Sequence, residues 1–221
     1  MSRIARAVAP GYPHHVLQCG NYRQTVFEED VDYRRYLEML GECIARFGLS
    51  VWAYCLMSDR VQYVCVPRDA DSLAKALNTL HMRYSQYFNN KKHRHGHLWQ
   101  GRFYSSILDD RHALEAIRYD ETNPIRRGLV EDATAYRWSS ARGHALGKFD
   151  PVLQDSCAII HAVGDWNSYL GATSDSKLVE NIQKNMRTGR PCGDREFVRM
   201  LEGLLNRSLT ARPRGRPRKN I

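Results

Sequence analysis

Apolar residues recur along this chain with two periods that exchange places through its first two-thirds. Residues 14–19 (HHVLQC) alternate and predict a short strand. Residues 32–47 place Tyr36, Leu37, Leu40, Ile44 and Phe47 at helical spacing, and Gly48 stands where a C-cap belongs. Residues 49–57 (LSVWAYCLM) and 61–66 (VQYVCV) are β-rich runs divided by the turn formers Ser58 and Asp59. Residues 72–89 put Leu73, Leu77, Leu80, Tyr84 and Phe88 on one helical face, and residues 102–108 (RFYSSIL) read as another strand. A helix over 111–122 stops at Asn123-Pro124, because a residue preceding proline avoids the helical region.

The order strand, helix, strand, strand, helix, strand, helix predicts an α+β, ferredoxin-like (split βαβ) antiparallel sheet domain. Such a sheet leaves one face free, but the fold alone names no function. Beyond residue 150 the pattern turns helical, with candidates at 157–163, 176–186 and 194–205 and GRPCGD between the last two. These form a helical C-terminal extension, read equally well as a cap on the sheet or as an accessory DNA-binding module. Residues 206–221 carry six Lys/Arg, no acid and no apolar period, as expected of a disordered basic tail. The expected division is thus 1–150, 151–205 and 206–221.

Composition narrows the partners. Over 221 residues, 33 Lys+Arg against 24 Asp+Glu give a net charge of +9, which favours a polyanion such as nucleic acid. The charge is clustered: residues 83–104 hold five Lys/Arg and no acid. No apolar run approaches the ~20 residues that span a bilayer, and no basic amphipathic helix suggests a membrane surface. The opening MSRIARAVAPGYPHH lacks the continuous apolar core of a signal peptide, so a cytoplasmic protein is expected. Six cysteines without C-x-x-C spacing argue against a zinc ribbon or a disulfide-stapled domain.

Four ordered stretches carry a resemblance: AYCLMSDRVQYVCVP, GHLWQGRFYSS, IRYDETNPIRRGLV and YRWSSARGH. Together they resemble the single-tyrosine transposases of the HUH superfamily, nearest the REP-associated tyrosine transposases, over roughly residues 12–147. The closing GRPCGDREFVRMLE and RGRPRK are similar to that branch as well. The resemblance implies a bacterial, nucleoid-associated protein, monomeric or homodimeric, whose partner is hairpin and single-stranded DNA at palindromic repeats. It also implies a transposase chemistry in which a helix tyrosine attacks a phosphodiester and becomes linked to the 5′ phosphate, conserving the bond for rejoining. Tyr119 holds that nucleophile's position, and Asn123, four residues on, that of a metal ligand.

One motif departs from the family. Two histidines flanking one hydrophobic residue would point at a single Mg²⁺ or Mn²⁺ ion; this chain has Arg60-Val61-Gln62. Gln62 retains an oxygen to offer, whereas the Arg60 guanidinium has no lone pair to give. A site of Gln62 and Asn123, helped by Asp59 at best, would hold Mg²⁺ weakly. Losing the ion's Lewis-acid polarisation removes several kcal/mol from transition-state stabilisation, roughly 10³-fold or more in rate. The expectation is a DNA-binding protein with cleavage impaired or lost, for which Mg²⁺ or Mn²⁺ is a cofactor only if it is active. One alternative is an active enzyme that nicks and rejoins single-stranded DNA with a rewired centre, using Tyr119 with Gln62, Asn123 and either Asp59 or a first-strand histidine, Arg60 partly replacing the ion as a fixed charge. Another is an RNA-binding module, since such a sheet with aromatics also suits single-stranded RNA.

The remaining histidines do not repair the site. His14 and His15 are expected to be ordinary sheet histidines, and His93, His95 and His97 to belong to a flexible basic loop. For nucleic-acid binding, Lys91, Lys92, Arg94 and Arg102 interleave with Tyr84, Tyr87, Phe88, Trp99, Phe103 and Tyr104. Cations suit phosphates, and exposed aromatics stack on unpaired bases at ~1–3 kcal/mol each, although several of these must be core. Arg126 and Arg127 extend the basic set past the tyrosine helix. In the tail, Arg214, Arg216 and Arg218 resemble an AT-hook suited to a narrow minor groove.

Overall fold

A computed structural model describes residues 6–153 and 158–210. Strand β1 (His14–Cys19) leads into helix α1 (Asp30–Phe47). The hairpin of β2 (Leu49–Met57) and β3 (Arg60–Pro67) follows, then α2 (Ser72–Lys91), β4 (Tyr104–Ile107) and α3 (Asp110–Glu121). Gly48 ends α1 at φ 63°, the left-handed conformation a Cβ would strain. Pro124 has no N–H to extend the helical ladder, so the chain breaks after α3 and restarts as the single turn α4 (Asn123–Arg126).

The four strands form one antiparallel sheet in the order β2-β3-β1-β4. Alternation along the strands divides their side chains between two layers. Val61, Tyr63 and Cys65 of β3, with Val16 of β1, join Tyr36, Leu40, Leu77, Leu80 and Tyr84 from α1 and α2 in the main core. Burial of each such apolar side chain is worth roughly 1.5–3 kcal/mol.

The second face is not free, as the sequence pattern suggested, but covered. Helix α3 packs across β1, β2 and β3, burying Ala113, Ala116 and Ile117 against Ala53 and Val64. Five further helices follow: α5 (Ala141–Leu146), α6 (Ala158–His161), α7 (Trp166–Gly171), α8 (Ser176–Thr188) and α9 (Arg195–Leu204). Glu121 ties this layer together, accepting from Ser140 at 2.5 Å, His144 at 2.6 Å and the Trp166 indole at 2.8 Å.

Helix α8 lies against α3, β4 and β1 as a cap on the sheet. Its C-terminal end is pinned to β4: the Ser106 hydroxyl donates to the Arg190 carbonyl at 2.5 Å. The Cys192 amide donates to the Ile107 carbonyl at 2.7 Å, and the Asp109 amide returns to Cys192 at 2.9 Å. The GRPCGD stretch is therefore a fastening strip along the sheet edge rather than a simple interhelical turn. Cys19, Cys43, Cys55, Cys65 and Cys192 are free thiols.

Candidate nucleic-acid interface

Strand alternation puts Arg60 and Gln62 of β3, and His15 and Leu17 of β1, on the face that α3 covers, with Leu17 directly opposite Gln62. Helix α3 delivers Tyr119 and Asp120, α4 and its C-cap deliver Asn123, Arg126 and Arg127, and α8 adds Gln183, Met186 and Arg187. Apart from the buried Asp120, these residues line one cleft of about 310 Å³. The structure thus brings Arg60, Gln62, Tyr119 and Asn123 together, although they come from three elements.

Tyr119 is half-buried, and its hydroxyl accepts a hydrogen bond from Gln183 at 3.2 Å. The Arg126 guanidinium sits over the Tyr119 ring, 4.0 Å from its centroid, and donates to the Tyr119 carbonyl at 2.5 Å and to Thr122 at 2.6 Å. Ring and backbone are thereby held while the hydroxyl stays at the cleft.

Beneath the tyrosine lies a buried polar chain. Asp120 is fully buried and accepts from His15 Nε2 at 2.9 Å and from the Gln62 amide at 2.7 Å, both on one oxygen. The Asn123 amide in turn donates to the Gln62 carbonyl oxygen. Burial pushes the Asp120 carboxyl above the usual carboxylate range, against the opposing pull of His15. His15 is therefore more than a sheet histidine, unlike His14, whose ring bonds only the local backbone of Tyr12 and Ala9.

The divalent ion that the sequence resemblance implies does not fit these residues. Arg60 grips Asp59 with two hydrogen bonds, at 2.9 and 2.7 Å, and brings positive charge where a ligand would stand. Hydrogen bonding to Asp59 keeps the guanidinium firmly protonated. Burial raises the Asp59 carboxyl, but the hydrogen bonds and charge of Arg60, with the charge of Arg127, together leave it below its ordinary range. The Gln62 oxygen is taken by Asn123, and one Asp120 oxygen by His15 and Gln62. The second Asp120 oxygen remains without a hydrogen-bond partner among the described residues. With His15 Nδ1, likewise unpartnered among the described residues, that makes two donors, far short of the near-octahedral oxygen shell Mg²⁺ requires.

The other basic candidates lie elsewhere. Lys91, at the end of α2 on the opposite side of the sheet, contacts Asp32 at 2.7 Å and Glu29 at 3.4 Å, and Lys92 pairs with Glu28. Arg94 stands over Phe88, 5.0 Å from the ring centroid. Arg102 lines a neighbouring small cleft together with Arg6 and Arg187. Of the interleaved aromatics, Tyr84, Phe88, Trp99 and Phe103 are core residues, which withdraws them as stacking platforms; Tyr87 and Tyr104 are half-buried. His93, His95 and His97 are exposed in the loop after α2. Arg214, Arg216 and Arg218 lie outside the described residues. Asp120, Gln183 and Arg187 belong to the site although no motif singled them out.

A single antiparallel sheet presenting a helix-borne tyrosine in a basic cleft defines the class of single-tyrosine transposase folds. The family model for IS200-like transposases matches residues 10–122, just over half of the chain, and the protein belongs to that family. Among solved structures, the fold is similar to that of a REP-associated tyrosine transposase bound to a REP hairpin. That likeness has a TM-score of 0.55 and 15% identity over 71% of this chain and 93% of the other. A putative transposase from Deinococcus radiodurans aligns at 20% identity over 55% of this chain and 97% of its own, with a TM-score of 0.39. No curated protein matches the chain's sequence. Residues beyond 122, including Asn123, Arg126, Arg127 and all of α8, lie outside the family match.

Proposed function

We propose that this protein is a DNA-binding member of the REP-associated branch, recognising hairpin and adjacent single-stranded DNA at palindromic repeats, with strand cleavage impaired or lost. The observation that carries the reading is the composition of the Tyr119 cleft. Among the described residues four arginines line it (Arg60, Arg126, Arg127 and Arg187) and no carboxylate does, and the ligand positions are bonded to one another or to Asp59. Such a surface attracts phosphates, yet its described residues do not offer the ligand set that would hold a Lewis acid to polarise one for attack.

The geometry also bears on a second reading, an active enzyme that nicks and rejoins DNA through a 5′-phosphotyrosine. The Tyr119 hydroxyl does reach the cleft, and fixed cations there would stabilise developing charge on a phosphate. Incubating the protein with a labelled single-stranded hairpin and Mg²⁺ or Mn²⁺ separates the two. Binding without a covalent product supports recognition alone, and an adduct that Tyr119→Phe abolishes supports the enzyme. Equal or tighter binding of the matching RNA hairpin would instead support an RNA-binding module.

A further inference from the structure

Helix α8 is not needed to close the sheet's main core, which α1 and α2 complete on the other face. It nevertheless supplies four residues of the Tyr119 cleft, with Ile182 and Met186 buried and Gln183 and Arg187 exposed. Gln183 meets the Tyr119 hydroxyl at 3.2 Å, and Arg187, one helical turn further on, faces the same space. The register of α8 is fixed from both ends. Asp175 caps its first turn by accepting from the amides of Lys177 and Leu178, and the Arg190–Ser106 and Cys192–Ile107 bonds anchor the segment after its last turn.

The charges in the cleft are also disposed for an incoming anion. Arg126 spends its donors on a neutral hydroxyl and a carbonyl. Arg187 has no ion-pair partner among the described residues. Among the described residues, Arg60 is the one cleft arginine in an ion pair, with Asp59, and both side chains are largely buried there, so the pair is a fixed part of the wall. The fully buried Asp120 is bonded to His15 and Gln62 beneath the surface. An arginine fork matches phosphate oxygens in two directions at once, which a lysine cannot do.

We infer that α8 completes a phosphodiester pocket that works without a divalent ion: Arg187 and Gln183 join Arg60, Arg126 and Arg127 to hold one backbone phosphate of a DNA strand beside the Tyr119 hydroxyl. This rests on the DNA-binding reading above and adds two things to it. The site is placed at a single phosphate, and a helix outside the family match is given a share in it. The same arginines account for Arg60: at this position a cation facing the phosphate replaces a ligand facing a metal.

The test uses the full-length protein and a set of single-stranded hairpin oligonucleotides, each with one methylphosphonate that removes one backbone charge. Affinity is read by fluorescence anisotropy in EDTA and again with Mg²⁺. The inference expects one methylphosphonate position to weaken wild-type binding about tenfold in both conditions. Arg187→Ala should weaken binding of unmodified DNA similarly, lower the salt slope by about one, and reduce sensitivity at that one position severalfold. Gln183→Ala should reduce that sensitivity while thermal melting stays at the wild-type value. Wild-type affinity in Arg187→Ala would overturn the inference, as would undiminished sensitivity in this variant or sensitivity that appears only with Mg²⁺. Failure of every hairpin to bind at low salt would instead overturn the DNA reading on which it rests. Preference for the matching RNA hairpin would do the same.

Discussion

Gln62 donates to Asp120 at 2.7 Å and accepts from Asn123, so both polar ends of this side chain are spent inside the protein. In a metal site the amide oxygen would face an ion. Here it closes a chain running from His15 through Asp120 to Asn123, which stabilises the packing of α3 and α4 on the sheet without any ligand.

Weak metal binding should follow from that closure. Titration of the protein with Mn²⁺, read by the loss of the free-ion electron paramagnetic resonance signal, should show no stoichiometric uptake at 100 µM-order concentrations (roughly −5 kcal/mol or weaker). The double variant Arg60→His, Gln62→His should gain Mn²⁺ uptake, because two imidazoles then share the face with Asp120 and Asn123. Stoichiometric uptake by the wild type would contradict the assignment of these donors.

The two basic segments should separate in their effect on DNA binding. Lys91→Ala and Lys92→Ala remove cations already paired with Asp32, Glu29 and Glu28, so hairpin affinity should stay within about twofold. Arg127→Ala, at the cleft, should weaken it about tenfold, at the scale of one phosphate contact. The comparison is read by anisotropy at one fixed salt concentration, and the reverse order would place the interface on the α1–α2 face.

Glu121 should prove structural. It accepts three hydrogen bonds from side chains on two further elements while fully buried. Glu121→Ala strands those donors and should cost ~2–4 kcal/mol, measured as a lower midpoint in urea with an unchanged slope. A loss below ~1 kcal/mol would mean that the second helical layer does not depend on this hub.

Stability should fall on mild acidification. Burial lowers the His14 pKa to about 4 and the His81 pKa to about 3, so both stay neutral in the folded protein at pH values where the unfolded chain takes up protons. Between pH 6.5 and about 4 the unfolded state binds more protons at these sites, and stability therefore rises with pH. Each histidine contributes a slope of up to ~1.4 kcal/mol per pH unit below 6.5. Urea midpoints at pH 7.5, 6 and 5 should decline in that order; a flat series would contradict neutral burial.

Most of the sheet domain was legible because its periods are clean. The runs at residues 14–19 and 49–57 coincide with β1 and β2, and Gly48 caps α1 as its position suggested. The fate of the second sheet face was not legible, since α3 and α8 have short apolar stripes that say nothing about which surface they cover. α7 was missed because its six residues offer little more than one turn of pattern. In the site, Tyr119, Gln62 and Asn123 stood in recognisable stretches. Asp120 adjoins Tyr119 in the same stretch, yet only the register of β1 against β3 shows that it meets His15 and Gln62. Arg187 could not have been found, because its place at the cleft comes from the fastening of α8 along β4, a contact some 80 residues apart in the chain.

The most direct test of the central claim pairs a denaturing gel with a binding assay on one labelled single-stranded hairpin in Mg²⁺ or Mn²⁺. Saturable, salt-sensitive binding with no covalent band, in the wild type and in Tyr119→Phe alike, is the predicted result. A slowly migrating protein–DNA band that forms with the wild type and disappears in Tyr119→Phe would contradict it, and would make the arginine-lined cleft a working catalytic centre.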